Sequence, residues 1–437
     1  MKNHGTYWVT ALSVAGVLAT APAFAQTTEA RLEQLLRQLE AQQKAMEAQQ
    51  KAMEAQQKAV EALSKEVERL KQAQARTPAP GKEMAEAPAA KPTVKSGNNK
   101  VSLTLKGQVN RGVLVVDDGA QSDVFHVDND FSSTRIDIIG EVKPRNDLKV
   151  GALIEMEVQS NPSNKVVINQ NKPASGTTLT ERIIDVYFDS KEFGRLTLGQ
   201  GKMASDGTSE VDLSGTGVIA LSKVQELAAD INFRQDNAAA TAGPTIDAVY
   251  TNLDGLARED RIRYDTPKFH GFQVSTAHAD GSEFDVAVRH DDTFDGVKTA
   301  AAIAYSNSSA VDDFKQVNGS VSVLFPVGLS LTFAAGTQDP DASAAGADDP
   351  VFWWGKIGWQ TKLFPELGKT YFSIDYGQSE DFSAQGDEFD SVGGAIVQKL
   401  DDWGMELFLS GRNYSLKQPG VSYHDIFAFM SGARVKF

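Results

Sequence analysis

The sequence predicts an all-β transmembrane barrel of about 16 antiparallel strands, with 18 as the upper count, preceded by an α-helical coiled coil. Three observations predict it. The stretch from Ser422 to Phe437 alternates with a period of two. The same alternation recurs in runs of about ten residues from Val101 onward, with no helical segment between them. The joints between those runs alternate between short and long.

In the last stretch, Phe427, Phe429, Ser431, Ala433, Val435 and Phe437 share one face, and Ala428, Met430, Gly432, Arg434 and Lys436 the other. A strand with two such faces has two different surroundings. In a membrane barrel the apolar side meets lipid and the polar side the lumen, so Phe427, Phe429 and Phe437 mark a barrel-closing C-terminal strand. Upstream, Val101, Leu103, Leu105, Gly107 and Val109 alternate with Ser102, Thr104, Lys106, Gln108 and Asn110. Leu148 to Val158 and Trp403 to Leu409 repeat the pattern. A soluble sandwich also alternates, but it does not set short turns on one rim and long loops on the other. The short turns centre on Pro144, Lys191, Lys268, Pro326 and Pro365, where Pro, Gly and Asn supply turn geometry. The long polar loops are 117–130, 159–178, 202–256, 339–350 and 379–388. Extended pieces at Ile231–Arg234 and Thr245–Thr251 would raise the count to 18. They are assigned to the 202–256 insertion, because the strand holding Arg261 then falls in sixth place.

The segment before the barrel has three parts. Residues 1–25 read as a signal peptide: Lys2, an apolar run from Trp8 to Ala21, and Ala23-Phe24-Ala25 as a cleavage site. Residues 26–76 read as a periplasmic coiled coil, with AQQKAME, AQQKAME and AQQKAVE in succession from Ala41 to Glu61. Position a falls on Leu32, Leu39, Met46, Met53, Val60 and Val67. Position d falls on Leu35, Gln42, Gln49, Gln56, Leu63 and Leu70. A strict seven-residue repeat drives left-handed supercoiling, and polar d layers weaken the seam while fixing register. A lone solvated helix is the plainer alternative. Residues 77–100 are a Pro/Ala-rich linker, and the barrel occupies 101–437 with an inward loop around 202–256.

Composition narrows the function. The chain has no Cys, which removes disulfides, thiol nucleophiles and zinc–thiolate sites. The net charge is −15; the first 100 residues carry +4, which leaves −19 for the strand region. That acidity argues against a nucleic-acid partner. The six His form no close pair at metal-ligand spacing, and no Gly-x-Ser-x-Gly elbow occurs, so neither a metal, a cofactor nor an enzymatic activity is expected.

Phe193-Gly-Arg-Leu-Thr-Leu-Gly-Gln-Gly201 resembles the strand before the constriction loop of Gram-negative trimeric porins. Arg261-Ile-Arg-Tyr-Asp-Thr-Pro-Lys-Phe-His-Gly-Phe272 resembles the stretch after that loop, and the terminal Phe matches as well. A coiled coil ahead of the barrel is similar to the arrangement of the DcaP-like porins. The Pro-Glu-Phe-Gly-Gly constriction motif of general porins is absent. The resemblance implies a homotrimer in the outer membrane, in contact with its lipid, passing small anionic solutes such as dicarboxylates by passive diffusion. The rival expectation is a structural barrel tethered to the cell wall through its coiled coil.

A pore selects at its narrowest ring. Asp206, Glu210 and Asp212 lie in the first part of the long insertion. Arg261 and Arg263 share one phase, set against Ile262 and Tyr264. Arg135 and Arg289 oppose apolar neighbours in the same way, Arg412 follows Glu406 and Ser410 in phase, and Arg182 fits the alternation less well. An Arg facing lipid near mid-membrane costs about 2–4 kcal/mol, which puts these guanidiniums in the lumen. The expected constriction therefore comprises Arg135, Arg182, Arg261, Arg263, Arg289, Arg412, Asp206, Glu210 and Asp212. A solvated loop for the acids and simple wall ion pairs for the arginines are the plainer readings.

Overall fold

Alternating side chains, closed into a ring, give every strand a wet face and a lipid face without leaving a free sheet edge. The computed structural model describes residues 94–95, 100–170, 178–237, 239–309, 313–341 and 348–437. Most of residues 1–100, with the expected signal peptide, coiled coil and linker, lies outside them. Within the linker, Val94–Lys95 and Lys100 are described, and Val94–Lys95 pairs with Ser102 and Leu103.

Seventeen strands build the wall. They are β1 (Val101–Asp117), β2 (Ser122–Asp128), β3 (Arg135–Arg145), β4 (Leu148–Gln159), β5 (Thr178–Ser190) and β6 (Gly194–Lys202). After the insertion come β7 (Arg258–Asp265), β8 (Phe272–Ala279), β9 (Phe284–Phe294), β10 (Val297–Ser308), β11 (Phe314–Leu324) and β12 (Leu329–Pro340). The last five are β13 (Val351–Phe364), β14 (Gly368–Glu380), β15 (Glu388–Leu400), β16 (Met405–Gln418) and β17 (Ile426–Lys436). β3 pairs with residues 101–108 of β1 and β2 with residues 111–117, so the two share one position. The result is a closed antiparallel barrel of 16 strands. The 117–130 stretch, expected as loop, thus contains β2. The pieces that suggested 18 strands do not join the wall. Asn232–Arg234 pairs with Ala242–Thr245 as a separate ribbon, and Ile246–Val249 is a single helical turn.

β17 closes the ring by pairing with both β16 and β1. Phe427, Phe429 and Phe437 lie exposed on the outer face. Phe437 exchanges backbone bonds with Gly107 at 2.8 and 3.0 Å. Its ring lies where a Cβ on Gly107 would sit, 2.8 Å from Cζ, so the closure requires glycine there. A strand of 11 residues extends about 36 Å and, tilted by about 40°, rises about 28 Å. That spans an apolar band of about 25 Å. No helix among the described residues is long and apolar enough to cross a membrane, which has no bearing on strands.

The segment between Met203 and Leu256 is no mere polar loop. Val218, Ile219, Leu227, Ile231, Phe233, Ile246, Val249 and Tyr250 are buried in one cluster with Trp354, Phe389, Tyr414, Leu416, Ile426 and Met430 of the wall. Tyr250 meets Phe389 at 5.1 Å between ring centres. Here the inner face of the barrel is apolar, including Leu114 and Val116 of β1, because the insertion rather than water covers it. Polar wall side chains fix the insertion's backbone. Ser320 and Ser322 accept from the Val211 and Leu213 amides at 2.9 and 3.0 Å, and Gln360 donates to the Leu213 carbonyl at 2.7 Å. Asn318, Ser320 and Ser322 sit at alternate positions of β11, so one face presents all three.

Candidate functional site

The insertion packs on β8–β17 and on β1 and β2, and the space left lies along β3–β8. Two cavities occupy it and share Lys202. The first, of about 510 Å³, lies between the insertion and the wall. Arg135, Glu155, Glu157 and Arg182 form its wall side; Asp206, Glu210, Lys223, Glu226 and Asp254 form its insertion side; Lys202 and Arg258 lie at the roots of the insertion. The second, of about 630 Å³, opens at the short-turn rim beside Lys191 and Lys268.

Arg182 reaches the first cavity through a backbone irregularity. Ile183 pairs with Glu155 and Glu181 with Met156, which leaves Arg182 unmatched in a β-bulge. A bulge re-aims the extra side chain, so Arg182 and Ile183 both face inward. Arg182 donates to Glu155 at 2.6 Å and also bonds Glu157. Arg135 stands 3.8 Å from Glu155. Across the cavity, Lys202 holds Asp206 at 2.6 Å and Lys223 holds Glu210 at 3.3 Å. Arg258 makes no ion pair among the described residues, and its Nε is buried without a hydrogen-bond partner there.

Two further acids belong to the insertion, outside the spanning strands. Burial, then the neighbouring Glu210 and Asp206, hold the Asp254 carboxyl well above its ordinary pKa, against bonds from the Gly207 and Ser209 amides. Burial and Asp130 do the same to Glu226. Five cations thus face seven carboxyls, of which Asp254 and Glu226 are the two held toward the neutral form.

The second cavity is more basic. Lys191, Arg195, Lys202, Arg261, Arg263 and Lys268 line it against Asp185, Asp189 and Asp265. Arg261 is buried and bonds Asp185 at 3.1 Å and the Gly199 carbonyl at 2.6 Å. A Cβ on Gly201 would come within 2.7 Å of its guanidinium, so this close approach requires glycine. Arg263 grips Asp265 at 2.8 Å and the Met203 carbonyl at 2.7 Å.

Of the nine expected constriction residues, the structure brings Arg135, Arg182, Asp206 and Glu210 together in the first cavity, and Arg261 and Arg263 in the second. The other three line neither. Arg289 donates to the Ala204 and Asp206 carbonyls at 2.7 and 2.8 Å and pins the entry of the insertion. Asp212 is buried against Lys356 at 2.8 Å. Arg412 is buried in a 2.6 Å pair with Asp375, which Trp354 also bonds. The sequence reading missed Glu155, Glu157, Lys202, Lys223, Glu226, Asp254, Arg258 and Arg195. For Glu155 and Glu157 the signal was present, since they alternate with Ile154 and Met156. Among the described residues no group of three or more His, Asp or Glu is placed to hold a metal.

A closed barrel, apolar outside and charged inside, defines a transmembrane β-barrel with an aqueous interior. The family model described as Gram-negative porin matches residues 77–417, and the chain belongs to that family, whose barrels sit in the outer membrane. The structure is similar to the anion-selective porin from Comamonas acidovorans, at 16% identity, covering 77% of this chain and 100% of that one with a TM-score of 0.54. It is similar to outer-membrane expressed OmpT of Vibrio cholerae, at 12% identity, covering 79% and 100%, with a TM-score of 0.52. The outer membrane channel DcaP of Acinetobacter baumannii matches at 14% identity over 79% and 99%, with a TM-score of 0.46. At these identities the likeness to the first two is one of fold. No curated protein matches the sequence.

Proposed function

We propose that the protein is a water-filled channel for passive diffusion of small hydrophilic solutes across the outer membrane, favouring anions such as dicarboxylates. The observation that carries this is the excess of cations in the short-turn cavity, six against three acids, joined through Lys202 to a cavity whose two surplus carboxyls, Asp254 and Glu226, are held toward the neutral form. The net −19 of the strand region does not oppose it. Asp117, Asp123, Asp339, Asp348 and Asp349 lie at strand ends or in loops, away from both cavities. The structurally similar Comamonas protein is described as anion-selective, in the same direction. Short turns of such barrels face the periplasm, so the basic cavity is the inner vestibule. Charged walls of low dielectric concentrate counter-ions, which converts a small excess into selectivity.

The test is the zero-current potential of the purified protein in a planar bilayer across a potassium chloride gradient. Anion preference is expected, reduced in Arg258→Gln and Arg195→Gln. Cation preference keeps a channel but removes the anion reading and moves attention to Asp206 and Glu210.

A further inference from the structure

The inner vestibule contains a feature that a plain ion path does not need. Leu153 and Ile183 face the lumen in a cavity otherwise lined mostly by charged and polar side chains. Leu153 pairs with Ile139 on one side and Asp185 on the other, all on the inner face. Ile183 faces inward in phase with Asp185 and Tyr187, opposite Glu155 and next to the bulge that places Arg182. Water gains nothing from an apolar floor, whereas a solute carrying hydrocarbon does.

Two cations of this cavity, Lys191 and Arg195, make no ion pair among the described residues, and Arg195 is the one held in a fixed plane. Arg195 lies over the Tyr187 ring at 3.9 Å and donates only a weak 3.3 Å bond to Thr197 through Nε. It makes no ion pair among the described residues, unlike Arg261 and Arg263. Stacking fixes the plane of the guanidinium and leaves its terminal nitrogens available, the geometry that binds a carboxylate with two parallel bonds. The cavity volume of about 630 Å³ falls within the range of small-molecule sites, roughly 300–1,000 Å³.

We propose that the inner vestibule is a binding subsite for organic acids with an apolar body, the carboxylate held by Arg195 and the hydrocarbon laid on Leu153 and Ile183. This rests on the anion-channel reading above and adds a class of solute to it. The subsite retards such a solute on its way through, so it acts as a concentration-dependent blocker of chloride current.

The experiment uses the full-length protein in a planar bilayer, with straight-chain monocarboxylates from acetate to octanoate as probes. The concentration giving half block is read for each. It is expected to fall about twofold per added methylene, half the value for a fully buried one. Leu153→Asn flattens that dependence and leaves acetate unchanged, and Leu153→Ala, which cannot perturb assembly by polarity, flattens it partly. Arg195→Gln raises every value by about tenfold, the lower end for a hydrogen bond to a charged group. Block independent of chain length, or a chain-length trend unaltered in Leu153→Asn, overturns the subsite while the anion channel stands. Stronger block by hexylammonium than by hexanoate overturns the anion reading and the subsite with it.

Discussion

At the scale of the residue, the same type of side chain does two different jobs, and its partners decide which. Arg182 faces a cavity and Arg412 is enclosed, although both point inward. Strand phase could tell that Arg412 faces the lumen, because Glu406 and Ser410 share its face. It could not tell that the insertion covers that part of the lumen, or that Asp375, two strands away on β14, completes the pair. Conversely, Arg182 broke the alternation because a bulge, invisible to a period-two count, supplies its direction. Arg412→Met leaves Asp375 buried and unpaired, a change that costs about 3–5 kcal/mol. The expected result is a lower urea midpoint for unfolding of the purified barrel, with ion selectivity unchanged. Altered selectivity at undiminished stability would show that Arg412 reaches the permeating ions after all.

At the scale of the element, the insertion is best understood as a plug with a fixed side and a wet side. Its length and its place after Gly201 were legible, but its packing was not. Val218, Ile219, Leu227 and Tyr250 follow no helical or strand period, because they fit a curved wall rather than a flat neighbour. The fixed side includes one buried ion pair, Lys356 with Asp212, whose ammonium also bonds the Ala220 carbonyl at 2.7 Å. Asp212→Asn strands the ammonium in a dry site, loosens the insertion, and is expected to raise open-channel current noise. The wet side carries Asp254 and Glu226, whose pKa values stand well above those of ordinary carboxyls. Their neutral forms suit the fold, so this stabilising contribution is complete below the unfolded-state values and is lost as pH rises through the folded-state ones. The same ionisation adds negative charge beside Asp206 and Glu210. Anion preference is therefore expected to be strongest at low pH and to weaken as pH rises, with a smaller change in Asp254→Asn. A pH-independent zero-current potential between about pH 4 and 9 would mean that these carboxyls do not titrate in contact with the permeating ions.

At the scale of the whole molecule, the remaining choice is between a channel and a tether. The heptads from Leu32 to Leu70 suit either, since a coiled coil can clamp three barrels or reach the cell wall. The barrel discriminates better. A mere anchor needs the lipid face and the closed ring, and gains nothing from keeping a charged path open beside its plug. This protein keeps two adjoining charged cavities open while its insertion packs against the rest of the wall. Deleting residues 26–100 separates the two functions. A channel whose path is built by β3–β8 and the insertion conducts without them, with unchanged unit conductance and unchanged anion preference. If the coiled coil also clamps a trimer, wild-type protein enters the bilayer in threefold conductance steps and the deleted protein in single ones. A tether predicts the reverse weighting: no steady conductance from either protein, and loss of the barrel's attachment to the cell wall on deletion. Recording step size and step grouping for both proteins under one salt gradient therefore decides the channel and the trimer together.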